Sequence, residues 1–313
     1  MDSLFLACSV VIPMMIYMLT GGIIRKLGIF HQDQFRALNT MLFKVFIPFS
    51  LFISIYSVDL RAVVVPRLFL FTLLAVISSV LLTALVIRPL VQNGSDRATV
   101  IQGIYRSNFV LFGLTIAGPL CDAEGVAMVS ALSAVVVPVF NVIAVILFEL
   151  SRGGRIKPLQ LVGKIFQNPL VDAGCIGIIF SLLRLQLPSV LESPVRAMAA
   201  CATPMALVSL GGILSFNSVA AHKKLLVIAV VGKLAAVPVL FLGVAVLLGF
   251  RGDELVALLA VSASPTAVAS APMAQSMGGN GDLAGEIVVM TSVCCILTLF
   301  VFIIALSGLG WIG

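Results

Sequence analysis

The chain has 313 residues, 61% of them hydrophobic and only 10% charged, with a mean hydropathy of +1.21; soluble domains carry roughly a quarter charged residues. This balance excludes a soluble globular domain. It also removes nucleic acid as a partner, because the net charge of +6 resides in short loops between apolar runs and so reports topology instead of a basic binding face.

Apolar runs long enough to cross a hydrocarbon core of about 30 Å lie at 3–24, 38–58, 66–87, 98–120, 123–149, 161–184, 196–217, 223–249, 253–277 and 283–308, which predicts ten transmembrane helices. The first run has no positively charged lead and is too long for a cleaved signal, so it is expected to remain as helix 1. With the N-terminus outside, eleven Lys and Arg residues fall in inner loops, Arg25, Lys26, Arg36, Arg88, Arg97, Arg152, Arg155, Lys157, Lys164, Lys223 and Lys224. Only Arg61, Arg67, Arg184, Arg196 and Arg251 fall in outer ones. This asymmetry predicts both termini outside and the 150–160 loop in the cytoplasm, with a bacterial cytoplasmic membrane as the location.

The six cysteines are scattered without a CxxC pair, and His31 and His222 fall in expected loops. Neither a disulfide framework nor a metal site is expected, and no cofactor. An internal repeat is. Pro13 and Pro169, Gly21 and Gly177, and Pro48 and Pro204 are each 156 residues apart, while "DAEG" at 122–125 recurs as "DLAG" at 282–285. Five spans is an odd number, so the second copy enters the membrane from the opposite side. The expected fold is an all-α polytopic membrane protein built from two inverted five-helix repeats, residues 1–150 and 161–313, joined by the 151–160 loop. Such repeats place a substrate site between interrupted helices.

The interruption is expected in spans 4 and 9. Span 4 carries Arg106, Ser107, Asn108, Gly113, Gly118 and Pro119; span 9, "SASPTAVASAPMAQSMGG", carries Pro265, Pro272 and four serines. Proline removes a backbone donor and clashes with the preceding turn, and open backbone groups at membrane depth persist only beside protein or a watery cavity. Both spans are therefore expected to break and cross. A small-residue packing face is the plainer alternative for span 9.

Several segments carry a resemblance. "GIFHQDQFRALNTMLFKVFIPFSLF" (28–52), "NPLVDAGCIGIIFSLL" (168–183), "LPSVLESPVRAMAACATPMALVSLGG" (187–212), "SNFVLFG" (107–113) and "SPTAVASAPMAQSM" (264–277) resemble the auxin efflux carrier family, which includes bacterial carriers of small carboxylates and is related in fold to the bile-acid symporters. The resemblance implies a scaffold of helices 1, 2, 6 and 7, a mobile transport domain of helices 3–5 and 8–10, and elevator-like movement of a small organic anion, commonly outward. A homodimer is compatible with it. Two departures stand out: Thr115 replaces a proline frequent in the family, and Asp172 replaces the tyrosine of the plant carriers, which argues against auxin as substrate.

Four ionisable residues fall inside expected spans, and charge at that depth is costly unless paired or hydrated. Lys44 can extend its stem toward the interface. Arg106 can grip a carboxylate in a bidentate manner; the expected substrate-binding set is Arg106, Ser107, Asn108, Gly113, Ser264, Pro265 and Thr266. A permanent Arg106–Asp172 pair is the structural alternative. Asp172 is read as the only acid well inside a span; it is a candidate for coupling to H⁺, or with Asn168 for holding Na⁺, and Lys233 is a third coupling candidate. Of the competing classes, "GNGD" (279–282) matches an intramembrane aspartyl protease signature, but no tyrosine precedes a second aspartate. Turn glycines and an aspartate capping helix 10 explain it, so no enzyme is expected. A sodium-coupled bile-acid-type symporter and a non-transporting anion sensor compete with the carrier of organic anions.

Overall fold

The computed structural model describes residues 2–60, 65–152, 158–214 and 216–312; Arg61, Arg155, Lys157 and the 153–157 part of the expected cytoplasmic loop lie outside them. The described chain is helical: α1 (Asp2–Lys26), α2 (Gln32–Tyr56), α3 (Pro66–Leu90), α4 (Gly94–Tyr105), α5 (Phe109–Leu120), α6 (Ala123–Ser151), α7 (Pro158–Ile165), α8 (Pro169–Leu183), α9 (Ser189–Ile213), α10 (Phe216–Ala221), α11 (Lys223–Leu247), α12 (Gly252–Ala263), α13 (Ser270–Ser276) and α14 (Gly281–Gly308). Among the described residues six helices, α2, α3, α6, α9, α11 and α14, are long and apolar enough to cross a membrane. The runs at 98–120, 161–184 and 253–277 are each divided into two helices.

Side-chain oxygens cap the starts of several of these helices. Asn93 accepts from the amides of Ser95 and Asp96, Asp122 from Gly125, Asn168 from Leu170 and Asn280 from Leu283, satisfying donors that a helix start leaves free. Asn280, and not Asp282, therefore caps α14. Asp282 is released to pair with Arg36 at 3.1 Å.

Two helices widen into a π turn, α2 at Leu42–Phe46 and α11 at Gly232–Ala236. Each widening lies just before an intrahelical proline, Pro48 and Pro238. The proline ring obstructs the carbonyl four residues earlier and offers no donor to it, so the ladder gains a residue there.

The helices pack in two groups. α1 lies along α9, and α2 packs on α8 and α9; α4, α5, α6, α11, α12, α13 and α14 pack on one another, with α3 against α4, and the two groups meet where α1 packs on α14 and α6 on α8. The α1–α9 contact is a backbone approach: a methyl on Gly21 would fall on the Val208 carbonyl, and one on Gly211 on the Met18 carbonyl. Small residues permit this proximity, and the packing it allows is one source of helix association where lipid removes the hydrophobic drive.

Candidate functional site

The gap between α4 and α5 spans Arg106 to Asn108, and that between α12 and α13 spans Ser264 to Ala269. The two gaps meet. Ser107 and Thr266 form an antiparallel bridge, with the Asn108 amide donating to the Pro265 carbonyl at 2.8 Å and the Ala267 amide to the Arg106 carbonyl at 3.2 Å. Each interruption thus supplies the hydrogen bonds that the other has lost, which is how non-helical backbone persists inside an apolar bundle.

Side chains lock this junction. Thr266 donates to the Gly103 carbonyl at 2.7 Å, and its amide donates to the Thr291 hydroxyl of α14 at 3.1 Å. Ser107 donates to the Val261 carbonyl, and Ser264 to Ala260. The Lys233 ammonium, from the π turn of α11, donates to the Ser107 hydroxyl and to the Ser262 carbonyl.

On one side of the junction lies a cavity of about 120 Å³. Its wall takes Arg106, Asn108 and the first turn of α5 from one gap, Ala267 to Ala269 from the other, Asn141 from α6, and Ser50, Ser54 and Thr203 from α2 and α9. Arg106 is 3% exposed. Its guanidinium donates to Asn141 Oδ1 at 2.6 Å and to Met273 Sδ at 2.8 Å, both uncharged. No carboxylate pairs with it among the described residues, which replaces the expected Arg106–Asp172 alternative. The Asn108 side-chain amide is buried without a partner, and the α5 N-terminus adds free backbone donors and a positive dipole end. Cation, amide and helix start thus face one cavity, a set of donors whose chemistry suits an anion.

The remaining expected residues are distributed as follows. Ser264, Pro265 and Thr266 form the second strand of the junction. Gly113 does not line the cavity; it faces Phe109 and Val129, where a side chain would collide with the α5–α6 packing. Thr115 donates to the Leu111 carbonyl at 3.0 Å within a continuous α5. Asn168 caps α8 and reaches Met277 Sδ at 3.6 Å. Asp172 is half-buried in α8 and does not line the cavity. Lys44 is exposed.

Sequence reasoning missed three groups. Asn141 is a lone amide in an apolar helix and carries no pattern of its own. Glu286, near the start of α14, is 2% exposed and bonds His222 Nδ1 at 2.8 Å. Glu149 is buried between Arg152, at 3.2 Å, and Lys164. An acid near a helix end reads as interfacial, and its burial depends on which loops fold over it. The described residues contain no cluster of three or more His, Cys, Asp or Glu suited to a metal.

An all-helical apolar chain with paired interruptions around a buried cation has the character of a membrane carrier. The sequence profile described as membrane transport protein matches residues 6–161 and 155–303, nearly the whole chain. The chain belongs to this family, which includes the auxin efflux carriers, and is an integral membrane transporter. It is similar to an uncharacterized transporter of Methanothermobacter thermautotrophicus, 23% identical over 296 residues, covering 92% of this chain and 95% of that protein.

Proposed function

We propose that this transporter is a secondary carrier of a small organic anion, a mono- or dicarboxylate, bound at Arg106 and Asn108 beside the paired interruptions. One observation carries the reading: the Arg106 guanidinium is buried against neutral partners only. A buried charge is costly without a counter-charge, and an anionic substrate provides one during each cycle. Thr203, Ser50 and Ser54 offer hydroxyls across the cavity from the other helix group.

In this reading residues 1–150 and 161–313 are oppositely oriented repeats, supported by the matching placement of the α4/α5 and α12/α13 interruptions. The group around α1, α2, α8 and α9 is the scaffold, and the group around the junction moves past it in an elevator-like step. Polar links between the groups gather at one end: Arg36 to Asp282, Gln275 to Asn39 and to the Arg36 carbonyl, and Lys164 to Glu149. The cavity lies beyond Ile47 in α2, away from that end. With the positive-inside assignment the linked end is cytoplasmic and both termini lie outside. Net efflux follows the family resemblance. Asp172, an acid of α8 with no hydrogen-bond partner for its carboxylate among the described residues, is the proton-coupling candidate; unchanged pH dependence of transport in Asp172→Asn would remove that role.

The test is a thermal-shift screen of mono- and dicarboxylates on the purified protein, followed by flux of each hit in proteoliposomes. A ligand that binds only the folded state raises apparent stability by mass action. Carboxylates should stabilise the wild type and not Arg106→Ala. Equal binding and flux in both would sink the role of Arg106.

A further inference from the structure

Lys233 is the one fully buried lysine among the described residues, with 0% of its surface exposed, and no acid accompanies it. Its ammonium donates to the Ser107 hydroxyl and to the Ser262 carbonyl at 3.3 Å. Both partners belong to the junction, one from each gap region. The hydroxyl of Ser107 already donates to the Val261 carbonyl, so its lone pairs face the ammonium. The last turn of α12 holds Val261, Ser262 and Ala263, and α4 ends at Tyr105, directly before Arg106 and Ser107. Two helix C-termini therefore converge here, each with carbonyls lacking intrahelical partners and a partial negative charge of about half an electron. Such a meeting of oxygens attracts a cation. Ser107 lines the cavity with Arg106 and Lys233 does not, so the lysine supports the junction from behind Ser107 without facing the cavity itself.

The sequence places the lysine there by a specific route. α11 widens into a π turn at Gly232–Ala236, before Pro238, and Lys233 is the second residue of that turn. Gly232 beside it permits close approach to α4, because a methyl there would meet Ile104 at 2.9 Å. A narrower helix or a larger residue at 232 would move the ammonium away from Ser107.

We propose that Lys233 is a tethered cation: its ammonium permanently fills a cation position formed by Ser107 and the α12 terminus, so that junction assembly requires no dissociable sodium ion. Removing the side chain creates a vacancy for a free primary ammonium ion. This inference concerns the junction and does not depend on which anion is carried.

The experiment measures thermal unfolding of purified wild type, Lys233→Ala and Lys233→Met in choline chloride, with added sodium, n-butylammonium or tetramethylammonium chloride and without any carboxylate. The wild type should be indifferent to all three additions. Lys233→Ala should unfold at lower temperature and regain at least half of the loss with n-butylammonium, saturably, but not with tetramethylammonium, which cannot donate a hydrogen bond. Lys233→Met should remain low throughout, since it fills the space without the charge. The proposal is overturned if Lys233→Met matches the wild type, if the two organic cations act alike on Lys233→Ala, or if sodium stabilises the wild type saturably. The last measurement needs no variant and applies even if Lys233→Ala does not fold. Absence of carboxylate transport in the wild type would sink the anion-carrier reading and leave these outcomes intact.

Discussion

The Arg106 guanidinium donates to Asn141 Oδ1 at 2.6 Å, an amide standing where a carboxylate would have neutralised it. The amide orients the cation without cancelling it, which leaves the charge available to a substrate. Asn141→Asp is nearly isosteric and would convert this hydrogen bond into a permanent ion pair that neutralises the guanidinium. The variant should fold and lose carboxylate binding by tenfold or more, corresponding to about 1.4 kcal/mol. Thermal shift with the best wild-type ligand reads this directly; unchanged affinity would show that Arg106 does not meet the anion.

The Gly21 and Gly211 approach makes a sharp stability prediction with an internal control. A methyl at either glycine collides with a backbone carbonyl of the facing helix, whereas a methyl at Gly22 would lie 3.8 Å from the nearest carbonyl, that of Gly211. Overpacking of this kind costs typically about 1–3 kcal/mol. Gly211→Ala should lower the unfolding temperature in detergent clearly, and Gly22→Ala should leave it near the wild type. Equal effects would mean that α1 and α9 do not approach through these residues.

The parts legible in the sequence were those encoded locally. Apolar runs marked the helices, and the polar triplet Arg106-Ser107-Asn108 and the Ser264-Pro265 step marked both interruptions, since a proline or a cluster of hydrogen-bonding side chains disrupts the ladder at its own position. The illegible parts depend on contacts between distant segments. Asn141 becomes the partner of Arg106 only because α6 packs behind α4, and Lys233 reaches Ser107 only through a π turn whose register no periodicity reveals. Asn280 takes the capping role expected of Asp282 for the same reason: Arg36, far away in sequence, engages the aspartate.

Cys121, in the turn between α5 and α6, offers a pH-dependent test of the packing around that turn. Burial, then a hydrogen bond and the charge of Asp253, then the charge of Asp122, push its thiol up to about 12 from the ordinary 9.0. The thiolate is the reactive form, and at pH 8 a thiol with that pKa is ionised to only about one part in 10⁴. Cys121 should therefore resist maleimide at pH 8 and begin to react only as the pH rises above 10. Asp253→Asn removes the charge of Asp253 and leaves burial and an acceptor oxygen in place, so labelling should accelerate several-fold without reaching the rate of a free thiol. Mass spectrometry of the modified peptide measures both rates. Rapid labelling of wild-type Cys121 at pH 8 would contradict the packing of Asp253 against this turn.

The links between the two helix groups predict how the conformational equilibrium responds to charge removal. Arg36 and Asp282 retain 45% and 38% of their side-chain exposure, so solvent screens the pair and its contribution is about 0–1 kcal/mol. If the links hold this state closed at the α2 N-terminal end, Asp282→Asn should shift the population toward the opposite state by up to about fivefold, the equivalent of roughly 1 kcal/mol. Ser54 lines the cavity, and a Ser54→Cys variant reports its accessibility to an impermeant thiol reagent added from outside. In the Asp282→Asn background that labelling should slow, and it should slow further when Lys164→Gln removes a second link. The buried Glu149 would keep Arg152 as its partner, so the double variant is expected to fold. Unchanged or faster labelling would show that these pairs follow the conformational change without biasing it.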